Sequence, residues 1–188
     1  RAFLIADMPF LSEASPDLAL QTAAQLMKVG GAHMVKLEGA ASKLAIVEKL
    51  SDYGVPVCGH IGLLPQSINK LGAYKVQGKD EQGAKQLVKD AKALQSAGAE
   101  LIVLECIPQS LAAEITDCLK IPTIGIGAGI HCDGQVLVLQ DMLGLSTQLK
   151  PRFAKNFLLG RDSILDAALA YVEEVKSVKF PKPEHSFK

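Results

Sequence analysis

The chain has 188 residues, is 48% hydrophobic and carries 20 basic against 20 acidic side chains. That length and composition suit one globular domain with a sizeable core, and the cancelled charge excludes the net field that draws proteins to nucleic acid or anionic lipid. No apolar run approaches the roughly 20 residues a membrane-spanning helix needs.

The first strand-like run, residues 2–6, begins almost at once, and Arg1 is not preceded by Met, so the expectation is that an amino-terminal part is missing. Ser15-Pro16-Asp17 then reads as a helix start: a capping hydroxyl, a proline whose absent N–H costs nothing there, and a carboxylate at the positive end of the dipole. Leu20, Ala23, Ala24 and Met27 keep helical spacing up to Gly30-Gly31, after which residues 33–38 change to the period of a strand. Ile46, Val47 and Leu50 give the next helix its buried stripe, Gly54 ends it, and residues 55–60 supply a third strand with a proline near its start.

Residues 61–82 break this rhythm with glycines, prolines and polar side chains, and are far longer than the usual βα loop of about 2 to 6 residues; they are expected to form a lid or a subunit contact. Ala84, Leu87, Val88, Ala91 and Leu94 mark an amphipathic helix. The aliphatic run 101–104 follows and ends on Glu105, as a strand buried on both faces would. A helix bearing Leu111, Ile115 and Leu119, a fifth strand at 122–126, a sixth at 136–139 and a last helix bearing Ile164, Ala168, Val172 and Val175 complete the pattern. Such alternation predicts a parallel sheet with helical crossovers. No GxGxxG follows the first strand, and charged residues close several strands rather than one switch point, which favours a barrel over a doubly wound sheet. A complete eight-stranded barrel usually takes about 250 residues, so two units are expected to be absent from the front.

The strand ends deliver Asp7, Lys36 with Glu38, His60 and Glu105. Residues two apart on a strand share a face, so Lys36 and Glu38 face one pocket, either as working groups or as an ion pair closing the barrel. Asp7 is a candidate ligand or a turn residue, and His60 a pocket residue or a structural one. Glu105 is the best single candidate, because a carboxylate at the end of a hydrophobic strand is suited to proton transfer. Asp7 and Glu38 are hard oxygen donors of the kind Mg²⁺ takes. Residues 125–129, Gly-Ile-Gly-Ala-Gly, match the phosphate loop of many barrels but also read as a tight turn. The four cysteines, Cys58, Cys106, Cys118 and Cys132, form no CxxC pair and fit a reducing cytoplasm.

Eight segments carry a resemblance along the chain: residues 6–10 (ADMPF), 35–39 (VKLEG), 57–63 (VCGHIGL) with 65–67 (PQS), 74–78 (YKVQG), 104–108 (LECIP), 125–129 (GIGAG), 153–157 (FAKNF) and 184–187 (EHSF). With them the sequence resembles the ketopantoate hydroxymethyltransferases. The resemblance implies a (β/α)₈ TIM barrel of the phosphoenolpyruvate/pyruvate type, here a single barrel domain over residues 1–188 lacking its first two βα units. It implies a Mg²⁺-dependent homodecamer that moves a one-carbon unit from the co-substrate 5,10-methylenetetrahydrofolate to 3-methyl-2-oxobutanoate, giving 2-dehydropantoate in pantothenate biosynthesis. Carried over by motif, Asp7 and Glu38 serve the metal, Asp7, Lys36 and His60 contact substrate, and Glu105 is the catalytic base. The family's metal-binding Gly-Asp-Ser segment is not among these 188 residues, so this stretch alone is expected to be inactive. A lyase or mutase acting through an enolate, and a non-catalytic barrel scaffold, are the competing readings.

Overall fold

The computed structural model describes residues 2–71, 75–146 and 150–188. Its six strands are β1 (Ile5–Asp7), β2 (Met34–Glu38), β3 (Val57–Gly62), β4 (Leu101–Glu105), β5 (Thr123–Ile126) and β6 (Gly134–Gln135), and they pair in sequence order. Every pair is parallel. The helices are α1 (Pro16–Lys28), α2 (Leu44–Asp52), α3 (Ile68–Leu71), α4 (Glu81–Ser96), α5 (Gln109–Cys118), α6 (Leu139–Met142) and α7 (Ile164–Lys176), with 3₁₀ turns at Pro65–Ser67 and Pro183–His185.

Each crossover steps the same way along the sheet, and right-handed crossovers that never reverse put their helices on one face. Accordingly α1 packs on α2, α2 on α4, and α4 on α5. A doubly wound sheet would reverse at a switch point; this one does not, and the arrangement is that of a half-barrel, fitting part of a TIM barrel. Between sheet and helices lies the main core, where Val35, Leu37, Val57, Ile102 and Leu104 meet Ala23, Val47, Leu50, Leu94 and Ile115. The alternate strand positions turn Met34, Cys58, Val103 and Ile126 to the opposite face, joined by Ile5, Ile124 and Phe153. That is why these strands read as continuous apolar runs.

The start of α1 follows the predicted chemistry, and those of α4 and α7 repeat it. Ser15 Oγ accepts from Leu18 N (3.3 Å), Asp80 Oδ1 from Gly83 N (2.8 Å) and Ser163 Oγ from Asp166 N (3.1 Å), each satisfying a donor the helix itself leaves unpaired. Among the described residues no helix is long and apolar enough to cross a membrane.

Two expectations are corrected. The sixth strand is Gly134–Gln135 rather than 136–139. Gly134 has no side chain to hold it off Ile124, whereas Val138 caps α6, and Val136, Val138 and Leu139 remain exposed. In α7 the buried face is Ala167, Ala168, Tyr171 and Val175, with Ile164 and Val172 exposed. The helix is turned by its aromatic neighbours: Tyr171 meets Phe157 edge-on at 5.3 Å and donates its hydroxyl to Gln135 O at 2.8 Å. Of the long connection 61–82, residues 72–74 lie outside the described residues, and with them Tyr74 of the quoted motif.

Burial also sets a pH response. It pushes the Cys58 and Cys106 thiols up from 9.0 to about 12. A raised folded value means the native state holds its proton while the unfolded chain gives it up, so this contribution is complete below pH 9.0 and is lost between there and about 12. Urea unfolding between pH 8 and 10.5 is expected to show stability falling by up to about 1.4 kcal/mol per pH unit for each thiol. Cys58→Ala should make that fall shallower. An unchanged slope in the variant would contradict the assignment.

Candidate active site

In a parallel pair, residues in register point to the same face, and a step of two along a strand keeps that face. Asp7 is in register with Lys36, Glu38 with His60, and Gly62 with Glu105. Each rung therefore sits two residues further along β2 or β3 than the one before. The stagger brings residues scattered from position 7 to position 105 to the carboxyl edge of four adjacent strands, β1 to β4. All five residues singled out in the sequence meet there.

They form a chain of contacts. Lys36 Nζ lies 2.7 Å from Asp7 Oδ1 and 3.3 Å from His60 Nδ1, and His60 Nε2 lies 3.1 Å from Glu105 Oε2. An ammonium only donates, so Nδ1 accepts and a neutral ring carries its proton on Nε2. The 3.1 Å approach to Glu105 is off-line, however, and Nε2 makes no well-aligned hydrogen bond although His60 is 3% exposed. A buried N–H without an in-line acceptor is costly, and here it points to the place where a bound oxygen would be welcome.

Glu38 is held separately. Its Oε2 accepts from Gln66 N at 2.9 Å, its Oε1 is 3.8 Å from His60 Nδ1, and Gln66 Nε2 donates to Met8 O at 2.9 Å. Gln66 thus ties the long connection to Glu38 at the end of β2 and to Met8, the residue after Asp7. Sequence reading gave it no role of its own; its place in a motif was the only signal. Asp7 is 63% exposed at the rim. As metal donors the two carboxylates have suitable chemistry for Mg²⁺, which commonly takes only one or two from the protein. Among the described residues no cluster of three His, Cys, Asp or Glu forms a fuller cage.

Gly62 is what lets β3 leave the sheet beside Glu105. Its φ is +97°, Leu63 N donates to Glu105 O at 2.9 Å, and a Cβ on Gly62 would stand 2.1 Å from that oxygen. Glu105 also lines a cavity of about 560 Å³, walled by Leu63, Val76, Ile126, Phe153 and Phe187. Such a volume is within the range of small-molecule sites. The glycine-rich stretch 125–129 serves that wall: a Cβ on Gly127 would meet Phe153 at 2.8 Å and Phe187 at 3.1 Å, and one on Gly129 would meet Gln109 at 2.4 Å. Of the two readings of this loop, the tight turn is the one its surroundings support, since Gly127 and Gly129 have φ of +62° and +82°.

A one-way parallel sheet bearing a carboxylate, a histidine and a lysine in contact at its carboxyl edge, beside an apolar cavity, defines a barrel-type α/β enzyme. Residues 1–183 match the ketopantoate hydroxymethyltransferase family. The chain is 56% identical over 187 residues to the 3-methyl-2-oxobutanoate hydroxymethyltransferase of Methylococcus capsulatus, covering 100% of this chain and 69% of that one. It is 57% identical over 187 residues to 3-methyl-2-oxobutanoate hydroxymethyltransferase 2 of Pseudomonas fluorescens Pf-5 (99% and 70%), and 53% identical over 187 residues to the Shewanella oneidensis protein (100% and 70%). The chain belongs to the ketopantoate hydroxymethyltransferase family.

Proposed function

We propose that the protein transfers a hydroxymethyl group from 5,10-methylenetetrahydrofolate to 3-methyl-2-oxobutanoate through an enolate, giving 2-dehydropantoate for pantothenate synthesis. The observation that carries this reading is the continuous contact from Asp7 through Lys36 and His60 to Glu105. It supplies a carboxylate to remove a proton and fixed donors to receive the negative charge that results.

In this reading Glu105 takes the C3 proton of the oxo acid. Lys36 and the Nε2–H of His60 stabilise the oxygen on which charge develops, an effect worth most where the donors are already in place. C3 then forms a bond to the methylene carbon, both of whose bonds to folate nitrogen are broken. Water supplies the new hydroxyl, and the two folate nitrogens take up one proton from C3 and one from water. Asp7 and Glu38 would hold a Mg²⁺ ion, which when bound polarises the carbonyl of the oxo acid and acidifies C3. The same reading extends to a single barrel domain of the phosphoenolpyruvate/pyruvate type, to homodecameric assembly and to the cytoplasm, and rests there on the family resemblance.

The test is proton NMR of 3-methyl-2-oxobutanoate in D₂O with the intact protein and Mg²⁺. The C3 proton is expected to wash out, and chelation with EDTA to stop it. No washout, with or without tetrahydrofolate, would remove the enolate reading and favour a scaffold.

A further inference from the structure

Two of the quoted motifs, residues 153–157 and 184–187, take no part in the contacts that run from Asp7 to Glu105, yet they pack on one another. Phe187 stands edge-on to Phe153 at 6.5 Å, bridges to Pro108, accepts at its carbonyl from Gln109 N (3.0 Å) and lines the cavity that Glu105 also lines. What holds it there is a turn closed on itself. His185 N donates to Lys182 O at 2.9 Å and Ser186 Oγ to the same oxygen at 3.1 Å, while Lys182 N donates to His185 Nδ1 at 3.1 Å. The His185 ring also lies 5.2 Å from that of Phe180, which is buried and stands 5.3 Å from Phe157. One side chain thus joins the turn to the aromatic cluster on which α7 packs.

Only a neutral imidazole accepts at Nδ1, because an imidazolium is a donor at both nitrogens. Protonation would set Nδ1–H against Lys182 N–H across 3.1 Å. The charged groups around the ring are Glu184 and Lys182 of its own turn, Lys155 of the 153–157 segment and Glu174 of α7. Glu174 already has both oxygens 2.6 Å from Lys155 Nζ. Burial holds the ring's pKa below its ordinary 6.5, with Lys155 and Lys182 adding to the effect and Glu184 and Glu174 opposing it. A lowered value in the closed turn means that the released segment takes up the proton more readily. Closure is therefore complete above pH 6.5 and is lost as the pH falls through the lowered value.

We propose that His185 is a positioning residue: as a neutral ring accepting from Lys182 N it keeps the turn closed and Phe187 seated on the cavity wall, and protonation of the ring releases both. Its effect on turnover rests on the function proposed above, whereas the closure itself does not.

The test uses the intact protein and two variants. His185→Asn puts an amide oxygen near the place of Nδ1 and cannot titrate, whereas His185→Phe keeps a ring on Phe180 and has no acceptor. The first readout is hydrogen exchange at Gln109 N, which Phe187 O covers, at about pH 7.5 and about pH 5.5 after correction for the pH dependence of exchange itself. Between the two, protection is expected to fall by about tenfold in wild type, the loss of roughly one net hydrogen bond, to hold in His185→Asn, and to be low throughout in His185→Phe. The second readout is kcat/KM for hydroxymethyl transfer. Glu105 and His60 are common to all three proteins, so their own pH response cancels in the ratio of His185→Asn to wild type, and that ratio should rise at the lower pH. The same pH response at Gln109 in wild type and His185→Asn would overturn the proposal, as would protection lost in His185→Asn at both pH values. If His185→Phe unfolds, the asparagine variant decides alone. If Gln109 behaves as expected and the ratio stays flat, the positioning role fails. If wild type neither exchanges the C3 proton nor transfers the methylene group, the failure lies with the proposed function, and exchange at Gln109 still decides the closure.

Discussion

Glu105→Gln should lower C3 proton exchange and hydroxymethyl transfer by about 10²- to 10⁴-fold, the range typical for loss of a positioned general base. Glutamine keeps the size of the side chain and an acceptor facing His60, so the fold and the wall of the cavity survive. What disappears is the group that takes the proton. The expected signature is a fall in kcat with little change in either KM, because the interaction removed is made chiefly in the transition state. Thermal unfolding should change little, separating a chemical loss from a structural one. Near-wild-type exchange in this variant would transfer the role of base elsewhere in the site.

Gly62→Ala should be the most damaging small substitution in the mouth. The added methyl would lie 2.1 Å from Glu105 O and 2.9 Å from the Ile107 side chain, at a φ of +97° that an alanine rarely adopts. One of these contacts is with backbone, which no rotamer change relieves. Strained backbone and overpacking together predict a loss of about 2 to 4 kcal/mol, measurable by urea unfolding. Activity should fall beyond what the lost folded fraction explains, because relief of the clash moves the backbone that carries Glu105. Gly54→Ala offers a comparison: it has a φ of +74° but nothing within 4 Å of the added methyl. It should cost only the conformational part, about 1 to 2 kcal/mol. Equal losses at the two glycines would show that space beside Glu105 is not the constraint.

Most of the scaffold was legible locally. Ser15, Pro16 and Asp17 announce α1 because capping is settled within one turn of chain. Likewise Leu101 to Leu104 read as a buried strand because both faces are covered. The sixth strand differs from its local pattern for the complementary reason: Val136 to Leu139 look apolar, yet pairing needs close approach to Ile124, and Gly134 rather than any valine permits it. In α7 spacing alone did not fix which way the helix turns, since Phe157 and Phe180, which come from outside the helix, decide it.

For the site, the sequence by itself determined the inventory: an aspartate, a lysine, a glutamate, a histidine and a second glutamate, each at or within two residues of a strand's carboxyl end, within motifs specific enough to indicate the family. A period of two and a run of aliphatics are enough to put such residues on one edge of a parallel sheet. Tertiary structure decided their partners. Register stagger put Lys36 between Asp7 and His60, left the Nε2 of His60 facing Glu105 without an in-line bond, and gave Glu38 to Gln66. It also brought Phe187 back across the chain to stand with Phe153 beside Glu105. Contacts of that range depend on how strands are offset and where loops return, which no local pattern encodes.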